Sequence, residues 1–228
     1  MFTFLVMNRF LCCFVCMVLF SQAVSAAPKP HAVSFGRWTV IKWFVGEDES
    51  RSIDLRVRAL LVDGRPKEFT IGAAHDITDR TFVVQRMYRL NDSLEQDGSA
   101  PRWRWERGGW LMVDRVSGKV QGIALQAFDS YYSAAAWFRD YVAYCGLSDD
   151  GKGVYAVVSQ VGRRKPLLKK PISNVPEINT PGSACSAPAW QRGPSRVTFA
   201  PQNDQKFTYT VRSHEIGLLP EEGDPGEE

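Results

Sequence analysis

Apolar and polar residues alternate along much of this chain, which is the pattern of β-strands with one buried and one solvated face. The clearest example is residues 53–61, where the odd-numbered positions are apolar and Asp54, Arg56 and Arg58 occupy the other face. The same alternation recurs at Phe207–Val211, near the end of the sequence. Both segments are predicted to be strands with one wet side.

Other strands are predicted where branched and aromatic residues cluster between turn signals. These segments are Phe69–Ile71, Thr81–Leu90, Trp110–Val116, Val120–Leu125, Tyr141–Cys145 and Val154–Gln160. Turns are predicted at Asp63-Gly64, at Ser117-Gly118 and at Asp149–Lys152, because Asp and Gly tolerate the backbone angles of tight turns. Ser130–Phe138 is the best helix candidate, with Ser130 as cap and three alanines behind it. With about ten strands and little helix, the predicted fold is all-β: an antiparallel meander, a sandwich or a small barrel.

The first 26 residues have the order of a secretory signal peptide. Arg9 precedes an unbroken apolar run at Phe10–Phe20, and small residues follow that run. This run is too short for a spanning helix, which needs about 20 residues. Val24–Ala26 fits the small-residue cleavage rule, so the mature chain is predicted to begin at Ala27.

Two other interpretations of this segment stay open. Met1–Val6 is also apolar, which would suit an uncleaved anchor. Met7 followed by Asn8 and Arg9 would open a more ordinary signal peptide than Met1, so translation is predicted to start at Met7. With a cleaved signal peptide, the predicted domains are that signal peptide at residues 1–26, one all-β domain at 31–216 and a disordered acidic tail at 217–228.

Removal of the leader leaves two cysteines, Cys145 and Cys185. An even pair of cysteines in an exported chain indicates a disulfide, and two separate buried thiols are the alternative. The predicted location is therefore secreted or periplasmic.

The charge distribution indicates contact with anionic material. The formal net charge is +3, the last eight residues contain five acids and no base, and the leader holds one base, so the body between them carries +7. A basic body is expected to bind an anionic envelope surface or polymer. The alternative is that a charge of this size only keeps the protein soluble. Arg163, Arg164 and Lys165 form the densest basic cluster and are predicted to contact anions from a solvated hairpin tip. We expect no nucleic-acid partner and no transmembrane span in the mature chain.

Catalytic signatures are few. The sequence holds three histidines and contains neither a Gly-x-Ser-x-Gly elbow nor a Ser-x-x-Lys motif. His75 and Asp76 are not expected to act as an acid–base pair, because adjacent strand residues point to opposite faces. We therefore expect no catalytic residue, no metal and no cofactor, with a β-fold hydrolase built on scattered carboxylates kept as an alternative.

Phe35-Gly36-Arg37-Trp38 places a Gly-x-Trp near the predicted mature N-terminus. This resembles the opening motif of the lipocalins. Asp149, Asp150 and Tyr155 loosely resemble the second motif of that family, and Arg212 resembles the arginine near its C-terminal end. The resemblance implies an eight-stranded barrel around an apolar pocket, and hence a carrier of a small apolar ligand. No C-terminal helix is evident, which departs from the family.

Residues 102–110 contain the most conspicuous aromatic pattern. In an extended strand Trp103 and Trp105 share one face, and Arg102 and Arg104 share the other. Two such indoles could stack a sugar or another ring while the arginines hold an anionic substituent. The alternative is that both indoles belong to the core, and burial of both is the prediction. Taken together, the sequence predicts an exported, non-catalytic all-β binding or scaffold module of the cell envelope or extracellular space.

Overall fold

The computed structural model describes residues 29–45, 51–93, 100–174, 185–193, 195–201, 205–212 and 215–218. From His31 onward these residues belong to one compact unit. The predicted leader and residues 219–228 lie outside the described residues. The described part contains fifteen strands and no helix, so no helix in it is long and apolar enough to span a membrane.

The first sheet has seven antiparallel strands in the order β1-β3-β4-β5-β6-β7, with β2 paired to the other half of β3. The strands are β1 (Val33–Phe35), β2 (Thr39–Val45), β3 (Arg51–Val62), β4 (Arg65–Asp76), β5 (Thr81–Asn91), β6 (Trp103–Asp114) and β7 (Val120–Ile123). β1 pairs with the end of β3 at Leu60–Val62, and β2 pairs with its first part at Arg51–Val57. The long strand β3 therefore pairs with both β1 and β2 along the same edge.

The other two sheets are four-stranded antiparallel meanders. The second contains β8 (Ala135–Phe138), β9 (Tyr141–Leu147), β10 (Gly153–Gln160) and β11 (Leu168–Asn174). The third contains β12 (Ala189–Arg192), β13 (Ser195–Phe199), β14 (Phe207–Arg212) and β15 (Glu215–Leu218). The last strand runs two residues into the segment predicted to be an acidic tail.

The turns predicted from Asp and Gly are confirmed. Asp63 and Gly64, between β3 and β4, have φ angles of 52° and 74°, as a type I′ turn requires. Gly118 and Gly151 also have positive φ, in the turns that follow β6 and β9. Asp63 is fixed further by its carboxylate, which accepts from the Ala32 amide at 3.0 Å and lies 2.6 Å from His31 Nδ1.

The second and third sheets pack face to face. Their shared core includes Ala143 and Cys145 from β9, Val158 from β10 and Phe199 from β13. Cys145 and Cys185 form the predicted disulfide, with their Cα atoms 6.0 Å apart. This bond ties β9 to the chain that leads into the third sheet, and both cysteines are buried.

The first sheet has buried clusters on both of its faces. Leu60, Phe82 and Val113 belong to one cluster, and Trp43, Val57 and Met87 belong to the other. Because successive strand residues point to opposite faces, β3 gives Val57 to one cluster and Leu60 to the other. The sheet thus buries apolar side chains on one face near Leu60 and on the opposite face near Val57.

Three expectations require correction. The described strands form three open sheets and not a closed barrel, so the eight-stranded barrel implied by the lipocalin resemblance is not formed. The described strands number fifteen, where about ten were expected, since short strands such as β1 and β12 lack a clear alternation. Ser130–Phe138 is not a helix: residues 130–132 form a turn, and β8 pairs with β9.

Candidate functional site

A cleft opens in the first sheet where β4 separates from both of its neighbours. The β3–β4 ladder ends at the pair Val57 and Ile71. On the other side, pairing of β4 with β5 is irregular between Ile71 and His75. Gly72 lies in this irregular stretch with a φ of +69°, a conformation that other residues adopt at a cost. The bulged backbone of β4 thus leaves room between strands that would otherwise be in contact.

The cleft has a volume of about 840 Å³ and two kinds of lining. Its apolar side consists of Leu55, Ile71, Ala73 and Ala74. Its cationic side consists of Arg56, Arg58 and Arg107, with Trp38 beside them. A site with an apolar floor and a few converging polar groups is the usual form of a small-ligand site.

Arg58 is held by aromatic rings. Its guanidinium carbon lies 3.7 Å from the centre of the Phe35 ring and 4.2 Å from the centre of the Trp38 ring. Stacking on a ring occupies the faces of the guanidinium and leaves its N–H edge able to bind a planar or tetrahedral oxyanion. The aromatic contacts therefore fix Arg58 without neutralising it. Burial lowers the pKa of Arg58, while a guanidinium remains charged at neutral pH.

The other two arginines come from different strands. Arg56, two residues before Arg58 on β3, lies 5.4 Å from the Trp38 ring centre. Arg107 of β6 lies 5.3 Å from the ring centre of buried Trp43. Burial lowers the pKa of Arg107, and attraction to the Asp129 carboxylate partly offsets this. The cleft thus collects three positive charges, one of them partly removed from water.

Among the described residues, Arg56, Arg58 and Arg107 form no ion pair and donate no hydrogen bond, and the Nε atoms of Arg58 and Arg107 are buried without a partner. Elsewhere in the same sheet arginines do find acids. Examples are Arg80–Asp114, Arg86–Glu68 and Arg115–Asp76, with N···O distances of 2.8, 2.9 and 2.6 Å. Arg56 and Arg58 carry like charges on one face of β3, and an oxyanion bound beside them would offset their repulsion.

The chemistry of the lining is that of binding. The described residues around the cleft offer guanidinium, indole and aliphatic groups but no carboxylate, imidazole, thiol or hydroxyl. Arginine is a poor general acid or base because it stays protonated. The arrangement can therefore hold and orient an anion, while the groups that usually transfer protons or attack a substrate lie elsewhere.

The predicted burial of both tryptophans is wrong for Trp103, which is 55% exposed. Trp105 is partly buried and packs edge-on against Phe69, with ring centres 5.1 Å apart. Arg89 of β5 lies over both indoles, 5.4 Å from the Trp103 ring and 5.7 Å from the Trp105 ring. β6 begins at Trp103 at this corner of the sheet, so the core covers part of Trp105 and leaves Trp103 in solvent.

The arginines predicted to assist these tryptophans lie apart from them. Arg104 is on the opposite face of β6, where its guanidinium pairs with Asp92 at 3.1 Å and with Glu106 at 3.0 Å. Arg102 is exposed just before the strand, and its backbone amide donates to Asn91. The cation beside the indoles is Arg89, which the sequence pattern of residues 102–110 does not contain.

The other predicted residues lie away from the cleft lining. Arg163, Arg164 and Lys165 are exposed in the turn between β10 and β11, as expected for a hairpin tip. His75 and Asp76 point apart, as predicted: His75 Nε2 donates to the Arg139 carbonyl at 2.8 Å, and Asp76 pairs with Arg115.

Comparison with known proteins gives no relative that could identify the cleft. No protein-family model, curated protein or solved structure matches this chain.

Part of the cleft was visible in the sequence. Arg56 and Arg58 share the wet face of a predicted strand, whereas Gly72 follows the predicted strand Phe69–Ile71 and carried no expectation of a bulge. Arg107 and Trp38 gave no such signal, since only the pairing of distant strands brings them to the same place.

Proposed function

We propose that this protein is an exported, non-catalytic binding module of the cell envelope or extracellular space, and that its ligand carries an oxyanion. The observation that carries the proposal is that Arg56, Arg58 and Arg107 line one cleft and that none of them forms an ion pair within the described part of the chain. Phosphate, sulfate and carboxylate groups are the anions that arginine binds best, often through two parallel hydrogen bonds.

The size and lining of the cleft favour an organic anion over a bare ion. A cavity of about 840 Å³ is within the range occupied by drug-sized ligands. Leu55, Ile71 and Ala74 offer apolar surface next to the guanidinium groups. A ligand with an apolar or aromatic body beside its anionic group would use both sides of the cleft.

Export is supported by the Cys145–Cys185 disulfide, because disulfides persist in oxidising compartments. It is also supported by the leader-like order of residues 1–26. The absence of proton-transfer groups from the described cleft lining favours binding over catalysis.

Calorimetric titration with phenyl phosphate and with inorganic phosphate tests this proposal. We expect phenyl phosphate to bind more tightly, because its ring covers apolar cleft surface. Arg58→Gln should weaken phenyl phosphate binding about tenfold or more, the usual worth of a hydrogen bond to a charged group. Arg164→Gln, which removes the same charge from an exposed turn, is the matched control and should change the affinity less than about twofold.

The pH dependence of this binding has a predicted sign. The three guanidinium groups stay charged, so the ligand alone titrates near neutrality. Binding of phenyl phosphate should strengthen as pH rises through its second ionisation, about pH 6, whereas sulfate binding should stay level. Equal affinity in wild type and Arg58→Gln across this range would refute the oxyanion site.

A further inference from the structure

The cleft opens onto one outward face of β2 and β3, here called the β2–β3 face. Residues directly opposite each other on paired strands share a face. Val40 is opposite Arg56, Lys42 is opposite Asp54 and Phe44 is opposite Ser52. Trp38 lies just before β2, in contact with Arg58.

Large apolar side chains on the β2–β3 face are exposed to solvent. Val40 is 62% exposed, Phe44 42% and Trp38 37%. They alternate with cations along the same two strands. Within the described residues the acid on this face, Asp54, is paired with Lys42 at 3.1 Å, so Arg56 and Arg58 are left as its net charge.

This combination discriminates between anionic partners. A soluble anionic polymer offers charge but no apolar phase into which Val40, Phe44 and Trp38 could be transferred. An anionic bilayer offers both, because phosphates lie at the same level as the interfacial region where indole rings accumulate. The charge and the exposed apolar groups are thus satisfied together by one surface.

We propose that the β2–β3 face docks on an anionic phospholipid bilayer, with Val40 and Phe44 entering the headgroup region and a lipid phosphate meeting Arg56 and Arg58. The inference rests on the proposed oxyanion site, since the lipid phosphate is the oxyanion in question. It adds a partner and an orientation that the cleft by itself does not specify.

Vesicle flotation with the purified protein tests the docking. Vesicles of phosphatidylcholine that contain phosphatidylglycerol should bind the protein, and vesicles of phosphatidylcholine alone should bind it far more weakly. Each cation near such a surface contributes about fivefold to the affinity, so Arg56→Gln should reduce binding by about that factor.

A variant that removes the apolar groups separates docking from oxyanion binding. Val40→Ser with Phe44→Ser should weaken vesicle binding about tenfold or more while leaving phenyl phosphate binding within about twofold of wild type. Val116→Ser with Leu90→Ser is the matched control. Val116, in the turn after β6, is 46% exposed and Leu90 of β5 is 47% exposed, and their replacement should not change vesicle binding.

Each other outcome overturns the docking proposal. If phenyl phosphate binds but phosphatidylglycerol does not improve vesicle binding, the oxyanion site stands and the membrane surface is wrong. If heparin binds and the Val40 and Phe44 changes have no effect on vesicle binding, the partner is an anionic polymer. If neither phenyl phosphate nor vesicles bind, both proposals fail.

Discussion

Replacing Cys145 and Cys185 together by alanine is expected to lower the free energy of unfolding by about 4 kcal/mol. The bond joins residues 40 positions apart, so its loss returns a large loop-closure entropy to the unfolded chain. The two cysteines also lie in the core between the second and third sheets, where alanine leaves a small void. Denaturant unfolding of the oxidised wild type and the double variant measures the difference.

The single variants serve as controls for this effect. Cys145→Ala and Cys185→Ala each break the same bond, so each should lose nearly as much stability as the double variant. Dithiothreitol should bring the wild type to the same value. A loss below about 1 kcal/mol in all of them would mean that packing of the two sheets, and not the bond, holds this part of the molecule together.

Trp43→Ala is expected to lower the free energy of unfolding by about 3–5 kcal/mol. Trp43 is 2% exposed and contacts Tyr131 edge-on, with ring centres 5.4 Å apart. The indole also lies under Arg107, so the variant should weaken phenyl phosphate binding as well. Denaturant unfolding and calorimetry on the same preparation give both values.

Trp103→Ala is the matched control, since the same side chain is removed from an exposed site. Its effect on stability should stay within about 0.5 kcal/mol. A cost for Trp103→Ala close to that of Trp43→Ala would contradict the exposure of Trp103. Loss of vesicle or ligand binding with unchanged stability would instead assign it to a binding surface.

Local sequence pattern predicted the strands better than it predicted which residues they bury. Alternation in residues 53–61 placed Leu61 in the core beside Val57. In the structure Leu60 is fully buried and Leu61 is only partly so. β3 exchanges β2 for β1 along its length and has an irregularity beside Leu60, so the buried face changes within one strand. Which face of β3 is buried depends on the strands that pair with it, and the local alternation of residues carries no information about those partners.

The expected helix at Ser130–Phe138 failed for a related reason. A single turn does start here, because the Asp129 carboxylate accepts from the Tyr131 and Tyr132 amides at 2.7 and 3.1 Å. The turn ends where Ser133 donates its hydroxyl to the carbonyl of Cys145 at 2.7 Å. Ladder pairing with β9 then overrides the helix preference of the alanines.

The candidate site followed from sequence only in part. The spacing of Arg56 and Arg58 and the exposed basic turn at Arg163–Lys165 were visible, as was the disulfide pair. The cleft itself depends on the bulge at Gly72 and on Arg107 arriving from β6, neither of which local pattern could place.

If the arginines of the cleft are placed for a ligand and not for stability, Arg107→Met should weaken ligand binding without destabilising the fold. Methionine keeps much of the side-chain volume and removes a partly desolvated charge that lacks a hydrogen-bond partner at Nε among the described residues. Burial of a charge without a hydrogen-bonded partner costs free energy, so an apolar replacement is expected to be neutral or stabilising. Arg86→Met, which breaks the 2.9 Å pair with Glu68, is the comparison that should lose stability, by up to about 1 kcal/mol.

The deciding measurement is the free energy of unfolding and the phenyl phosphate affinity of Arg107→Met, obtained on one preparation. Arg107→Met is expected to leave stability unchanged, or to raise it by up to about 1 kcal/mol, and to weaken binding at least about tenfold. A loss of stability above about 1 kcal/mol with unchanged affinity would show that Arg107 is part of the structural core and does not bind a ligand.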